Sequence, residues 1–283
     1  MDARLTLEIA KARDAFSPVE YVEGDLRAGA LVICDHASNA FPLGYGALGL
    51  PREALERHIA YDIGAAWLTR SLAERLGAPA VLSTFSRLLI DPNRGADDPT
   101  LVMRISDGAI VPGNARIDAA EVERRRRLFW APYRDAVEAK VEAMMAENAP
   151  PAILSIHSFT PVWRGVPRPW KVGVLWDRDP RLPLPLLEAL GREDDIAPHE
   201  AGDNEPYDGA LAGDTIDAVA TRRGLSNVLI EVRQDLIATP EGAADWAGRL
   251  ARLVAPLIAP RETREPRDFG SRASGGSRTA RSA

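Results

Sequence analysis

Two histidines stand where apolar runs end. Leu31-Val32-Ile33-Cys34 leads into Asp35-His36-Ala37-Ser38-Asn39, and Ile153-Leu154-Ser155-Ile156 leads into His157-Ser158. The chain holds only four histidines, so two at strand ends concentrate a scarce side chain where α/β proteins do their chemistry, the crevice at the carboxyl ends of sheet strands. Two imidazoles and one carboxylate form the ligand set of a catalytic zinc that keeps a position open for water. The candidate third ligands are Asp62, and after it Asn39 and Asp35. His58 precedes Asp62 by one helical turn, either as a neighbour of the ligand or as its hydrogen-bond partner.

A further carboxylate, Glu231, ends the run Asn227-Val228-Leu229-Ile230 and is followed by Arg233. A glutamate buried beside an activated water is the usual general base of a metal-assisted hydrolysis. Arg87, Asn93 and Arg94 in SRLLIDPNRG suit recognition of a substrate carboxylate through guanidinium forks, against a plainer role in ion pairs with Asp91, Asp97 or Asp98. Other routes lack their residues. Gly44, Gly46 and Gly49 in GYGALG match a dinucleotide fingerprint, but DHASNAFP separates them from the strand and no helix starts before Pro51, so a glycine-rich loop is expected. No G-x-S-x-G elbow and no phosphate-binding G-x-x-x-x-G-K occurs. The run Arg124–Arg127 reads as a solvated helix face.

These residues need a rigid frame. Short apolar runs bounded by turn residues predict strands near 30–35, 79–84, 87–91, 152–156, 171–176 and 227–232. Longer periodic patterns predict helices over about 52–76, 118–147, 181–191, 214–223 and 240–258. The alternation implies a sheet between helices, with both faces covered because the strands are unbroken apolar runs. Pro51 opens the first helix, Gly77 closes it, and Pro132 predicts a kink or break in the second. Residues 1–260 form one catalytic domain in this reading, and 261–283, ending in small and basic residues, form a disordered tail.

With 46% hydrophobic residues the chain has the composition of a folded globular protein. A net charge of -6 argues against nucleic acid as a partner, since that surface needs a basic field. The single cysteine, Cys34, suits a reducing compartment; no signal peptide and no membrane-length apolar run is visible. A cytoplasmic location is expected.

The ordered motifs ICDHASNAFP, HIAYDIGAAW, SRLLIDPNR, SIHSFTP, RPW, GDNEPY and IEVRQDL resemble those of the N-formylglutamate amidohydrolase family over about residues 28–257. The resemblance implies an α/β fold of three layers, an α/β/α sandwich with a mixed, mostly parallel central sheet, phosphorylase/hydrolase-like and similar to zinc carboxypeptidases and aspartoacylases. It implies zinc or another divalent metal on His36, Asp62 and His157, with Glu231 as base. Asn39 stands where those relatives often place a glutamate ligand, which makes Asp62 the matching carboxylate. Arg94 is expected to polarise the scissile carbonyl; Arg87, Asn93, Arg94, Arg168, Asn204, Tyr207 and Arg233 are expected to contact substrate. The implied substrate is a small anionic N-acyl amino acid, most simply N-formylglutamate. The alternatives are another acyl amino acid, a cell-wall peptide fragment, or anion binding without turnover.

Overall fold

The computed structural model describes residues 16–270. In chain order the elements are β1 (Val19–Val22), β2 (Ala30–Cys34), α1 (Arg52–Leu55), α2 (Ala65–Leu76), β3 (Ala80–Ser83), and a hairpin of β4 (Ile105–Ser106) and β5 (Ala109–Ile110). Then come α3 (Ala119–Arg125), α4 (Ala131–Ala146), β6 (Ala152–Phe159), a second hairpin of β7 (Val162–Trp163) and β8 (Val166–Pro167), β9 (Val172–Leu175) and α5 (Pro183–Leu190). The series closes with β10 (Ala201–Asp203), α6 (Thr215–Val219), β11 (Asn227–Arg233), α7 (Pro240–Ile258) and α8 (Arg261–Arg264).

Seven strands form one sheet in the order β1-β3-β2-β6-β11-β9-β10. Neighbours are parallel except β1 against β3 and β11 against β9, so the sheet is mixed and mostly parallel. The period-two pleat divides each strand between two cores. Ala30, Val32 and Cys34 pack with Leu68, Leu72, Leu186, Leu250 and Val254 from α2, α5 and α7. Leu31, Ile33 and Ile153 pack the opposite way, against Tyr133, Val137 and Val141 of α4 and Val219 of α6. Three layers result, as expected.

Four local expectations require correction. The helix over 52–76 is interrupted: residues 56–64 are not helical, and Asp62 lies in that segment rather than on a helix. Gly64 explains the break, because it takes a left-handed conformation (φ 81°) and a Cβ there would stand 2.0 Å from the Ile237 carbonyl oxygen. The run 87–91 is a buried loop and not a strand; Leu88, Leu89, Ile90 and Asp91 are fully buried, and backbone bonds of Ser86 to Ala40, Arg87 to Ala60 and Asp91 to Leu101 replace a ladder. The expected break at Pro132 is a π-helical turn over Arg126–Trp130, which accommodates the missing N–H without ending the helix. Arg125 is not solvated: it is buried and donates to the Leu89 carbonyl and Asn114 Oδ1.

The GYGALG segment is a loop of turns, as read. In the expected tail, residues 261–270 are described: Arg264 donates to the Ile258 and Pro150 carbonyls and the Arg267 amide to Gly224. Residues 271–283 lie outside the described residues. Among the described residues no helix is long and apolar enough to cross a membrane.

Candidate active site

Ile153, Ser155 and His157 share one face of β6, and Glu231 on β11 is the direct register partner of His157. His36 follows β2 by two residues. The segment before α2 is drawn across both strand ends by a bond from the Asp62 amide to the His36 carbonyl (2.9 Å). Asp62 Oδ2 thereby meets His157 Nδ1 at 2.8 Å and His36 Nδ1 at 3.4 Å, with the Ser158 amide donating to the same oxygen. The two rings stand edge to face, centroids 5.0 Å apart. One ligand atom from each of His36, Asp62 and His157 lies within 4.8 Å of the others, and all three residues are buried, so this cluster could hold a metal ion.

The outer ring nitrogens are also held. His36 Nε2 meets Asp91 Oδ1 at 2.7 Å, and His157 Nε2 meets Asp35 Oδ2 at 3.2 Å. Each imidazole is therefore oriented by a fully buried carboxylate, the arrangement that fixes a histidine's tautomer and raises its basicity as a ligand. Asp35 is held in turn by Ser155 (3.2 Å) and Thr215 (2.5 Å). That makes it an orienting group, which answers its candidacy as a ligand. Asn39 donates to the Leu55 carbonyl and is absent from the cavity wall.

Electrostatics follow from burial. Burial alone would depress His157, but its bonds to Asp35 and Asp62 outweigh it and hold the ring well above its usual pKa. Asp62 feels burial in the other direction, and the two histidines overcome it and hold the carboxyl far below the usual range. Glu231 lacks such partners. Burial pushes it up to about 7 against the pull of His157, and its Oε2 is sealed from solvent without a hydrogen bond. Opposite it on β9 stands Gly173, where a Cβ would lie 2.1 Å from the Glu205 carbonyl oxygen. That close approach packs the start of the 205–209 loop against β9, and Tyr207 lines the cavity.

These groups line a cavity of about 310 Å³, with Arg87, Asn93, Arg94, Phe159, Trp163, Tyr207 and Leu229 among its walls. Arg87 is pinned between Asp91 Oδ2 (2.9 Å) and Asp62 Oδ1 (3.6 Å). Among the described residues Arg94 bonds only neutral oxygens, the Thr100 hydroxyl and the Asn93 carbonyl. Asn93 is tied to the frame, accepting from the Thr215 amide. Arg168 stands behind the wall, over the rings of Phe159, Trp163 and Tyr207, and bonds the Tyr207 hydroxyl.

Besides Arg168, two further expected substrate contacts do not line the cavity. Asn204 Oδ1 accepts from the Trp176 and Gly209 amides, and Arg233 pairs with Asp235. The sequence reading missed Asp91 as an orienting carboxylate, having weighed it only as an ion-pair partner of the arginines. It also missed Asp107, which enters the cavity from the β4–β5 hairpin; the Asp-Gly pair at 107–108 was the available signal.

The chain is similar to known proteins in sequence and in fold. The family model of N-formylglutamate amidohydrolase matches residues 28–238. A crystal structure of a gene product from Agrobacterium tumefaciens is 33% identical, with a TM-score of 0.80 over 87% of this chain and 96% of that one. The crystal structure of N-formylglutamate amidohydrolase from Ralstonia eutropha JMP134 is 22% identical, with a TM-score of 0.67 over 86% and 97% of the two chains, a likeness of fold. No curated protein sequence matches. With the family model covering most of the chain, this chain belongs to the N-formylglutamate amidohydrolase family.

Proposed function

We propose that this protein is a divalent-metal amidohydrolase that cleaves the N-acyl amide of an acyl amino acid, with N-formylglutamate, giving glutamate and formate, as the reference substrate. The observation that carries this reading is an unpartnered, buried Glu231 carboxylate beside a His36-Asp62-His157 cluster in one cavity. The donor set fits a cation: both Nδ1 atoms face one Asp62 oxygen while carboxylates occupy both Nε2 atoms. When bound, a divalent cation supplies Lewis-acid chemistry, polarising the amide carbonyl and making water a stronger acid.

The chain's own residues do the rest. Glu231 Oε2 accepts a proton from the attacking water and returns it to the leaving nitrogen. Arg87, locked against Asp62, is the cation placed to face negative charge on the carbonyl oxygen, and preorganisation by Asp91 spares it reorientation. Arg94, which makes no ion pair among the described residues, is the guanidinium left to hold the α-carboxylate. These arginine roles invert the sequence expectation for Arg94. The experiment is to incubate the zinc-loaded protein with N-formylglutamate and other N-acyl amino acids and measure released amine. No turnover of any of them by protein with full metal occupancy would refute the reading.

Two expectations follow from the site. Arg94→Ala should raise KM for an N-formyl amino acid about 10- to 100-fold while kcat changes little, the loss of one charge-assisted bond; an equal effect on the amidated, α-carboxylate-free analogue would assign Arg94 elsewhere. Asp91→Asn should weaken zinc binding about 10- to 100-fold, because the His36 ring loses its anionic anchor. Competition with a chromophoric chelator measures this, and unchanged affinity would reduce Asp91 to a partner of Arg87.

A further inference from the structure

His58 has no part in the chemistry above. It lies in the non-helical segment before α2 and lines the cavity. Its ring stands between the two small hairpins. The β4–β5 hairpin turns through Asp107 and Gly108 (φ 43° and 74°), and the β7–β8 hairpin through Arg164 and Gly165 (φ 50° and 82°); paired positive φ values mark tight two-residue hairpin turns. The first presents Asp107 Oδ2 3.4 Å from His58 Nε2, and the second presents Trp163 edge-on to the imidazole, centroids 6.1 Å apart. His58 Nε2 is sealed from solvent and makes no hydrogen bond. A buried polar atom without a hydrogen bond is costly, and Asp107 Oδ2 is the acceptor within reach once Nε2 carries a proton, which leaves the ring's other N–H for a ligand in the cavity.

The charged groups acting on His58 are Asp107 from the hairpin, Arg57 and Asp62 from its own segment, and Arg87 from the loop after β3. Trp163 meets it with a ring over which Arg164 and Arg168 lie. Arg57 is itself paired with Asp107 at 2.9 Å. The His58 side chain is 25% exposed, a position at the rim and away from the fully enclosed Asp91 end of the site. The α-carboxylate of an N-acyl amino acid lies close to the scissile nitrogen; a side-chain group reaches outward to the rim.

Resting on the amidohydrolase reading, we propose that His58 is the specificity-determining residue for an acidic side chain: as an imidazolium it gives its Nε2 proton to Asp107 and its other N–H to the substrate's distal carboxylate. The proton is taken from solvent as the ligand binds, so binding and protonation are coupled. Burial keeps the free ring below its usual pKa, against the pull of Asp107, and a second carboxylate raises it. Affinity is then highest at pH values below the pKa of the free protein, falls as pH rises between that pKa and the higher pKa of the complex, and is level again above both.

The test pairs N-formylglutamate with N-formylglutamine, which keeps the α-carboxylate and lacks the distal charge. In the wild-type chain kcat/KM should favour the glutamate substrate increasingly from pH 8 down to pH 6. His58→Gln should lower that preference by about 10- to 100-fold and flatten its pH dependence, with zinc content unchanged. Calorimetry on the non-hydrolysing Glu231→Gln chain, in buffers of different ionisation enthalpy, should show proton uptake on binding N-formylglutamate that disappears when His58→Gln is added. A preference and pH profile that survive His58→Gln, or binding without proton uptake, would overturn the proposal. Proton-coupled binding without turnover by the zinc-loaded wild-type chain would leave His58 in place and sink the amidohydrolase reading instead.

Discussion

Glu231→Gln is expected to lower kcat by about 10²- to 10⁴-fold while zinc content and KM stay near those of the parent. The substitution keeps the shape and one oxygen but removes the lone pair that takes the proton from water. The side chain is buried with a free Oε2 and lies across the register from His157, so it faces the reacting groups without contributing to the three-residue cluster. The same residue sets the acid limb of the pH profile. Glu231 acts as base only when ionised, and burial holds it up to about 7, so kcat/KM should rise with pH through that region. A cation at the neighbouring cluster stabilises the carboxylate and moves the limb lower. Initial rates from pH 5 to 8, with zinc measured on the same samples, decide the matter. Loss of zinc in Glu231→Gln would make Glu231 a ligand; a full rate would remove it from the chemistry.

The parts of this site that were legible in the sequence were those whose signal is local. His36 follows an apolar strand, His157 and Glu231 each sit two residues before the end of one, and the parallel pairing of β2, β6 and β11 carries them to one end of the sheet. Asp62 was identified through its motif, while its helical periodicity was misleading. Ile59 and Ile63 keep an apolar spacing through a segment that Gly64 prevents from being helical, and the Ile237 carbonyl that enforces this lies far away in sequence. The same long-range dependence hid Asp91. Leu88-Leu89-Ile90 is buried for the sake of the loop that delivers Asp91 to His36, and an apolar run buried in a loop reads like a strand. Arg87 and Arg94 looked interchangeable by type. Only their partners, two carboxylates for one and neutral oxygens for the other, separate them.

His157→Ala is expected to reduce zinc affinity by about 10²- to 10³-fold or more, since structural zinc sites gain roughly 10–16 kcal/mol from about four ligands. His36→Ala should fall in the same range, and hydrolysis should fall with occupancy in both. The His157 substitution has a second consequence. It leaves the buried carboxylates of Asp35 and Asp62 without the ring that bridges them, so the metal-free variant should also melt lower than its parent, by the cost of breaking a buried ion pair, about 3–5 kcal/mol. Asp62→Asn separates the two effects, because it removes a ligand charge and keeps a side chain of the same shape; zinc affinity should drop while excess zinc partly restores activity. The pH dependence gives an independent check. In metal-free protein the raised pKa of His157 contributes stability that is complete below about 6.5 and is lost as pH rises through the folded-state value. A cation held by His157 would compete with the ring proton, so binding should release protons, and the thermal shift produced by zinc should grow as pH rises over the range where the metal-free protein is losing that stabilisation. Full zinc occupancy in both His36→Ala and His157→Ala, measured by elemental analysis after dialysis, would mean that the cation sits elsewhere and that the Asp35-His157-Asp62-His36-Asp91 chain is a buried hydrogen-bond network.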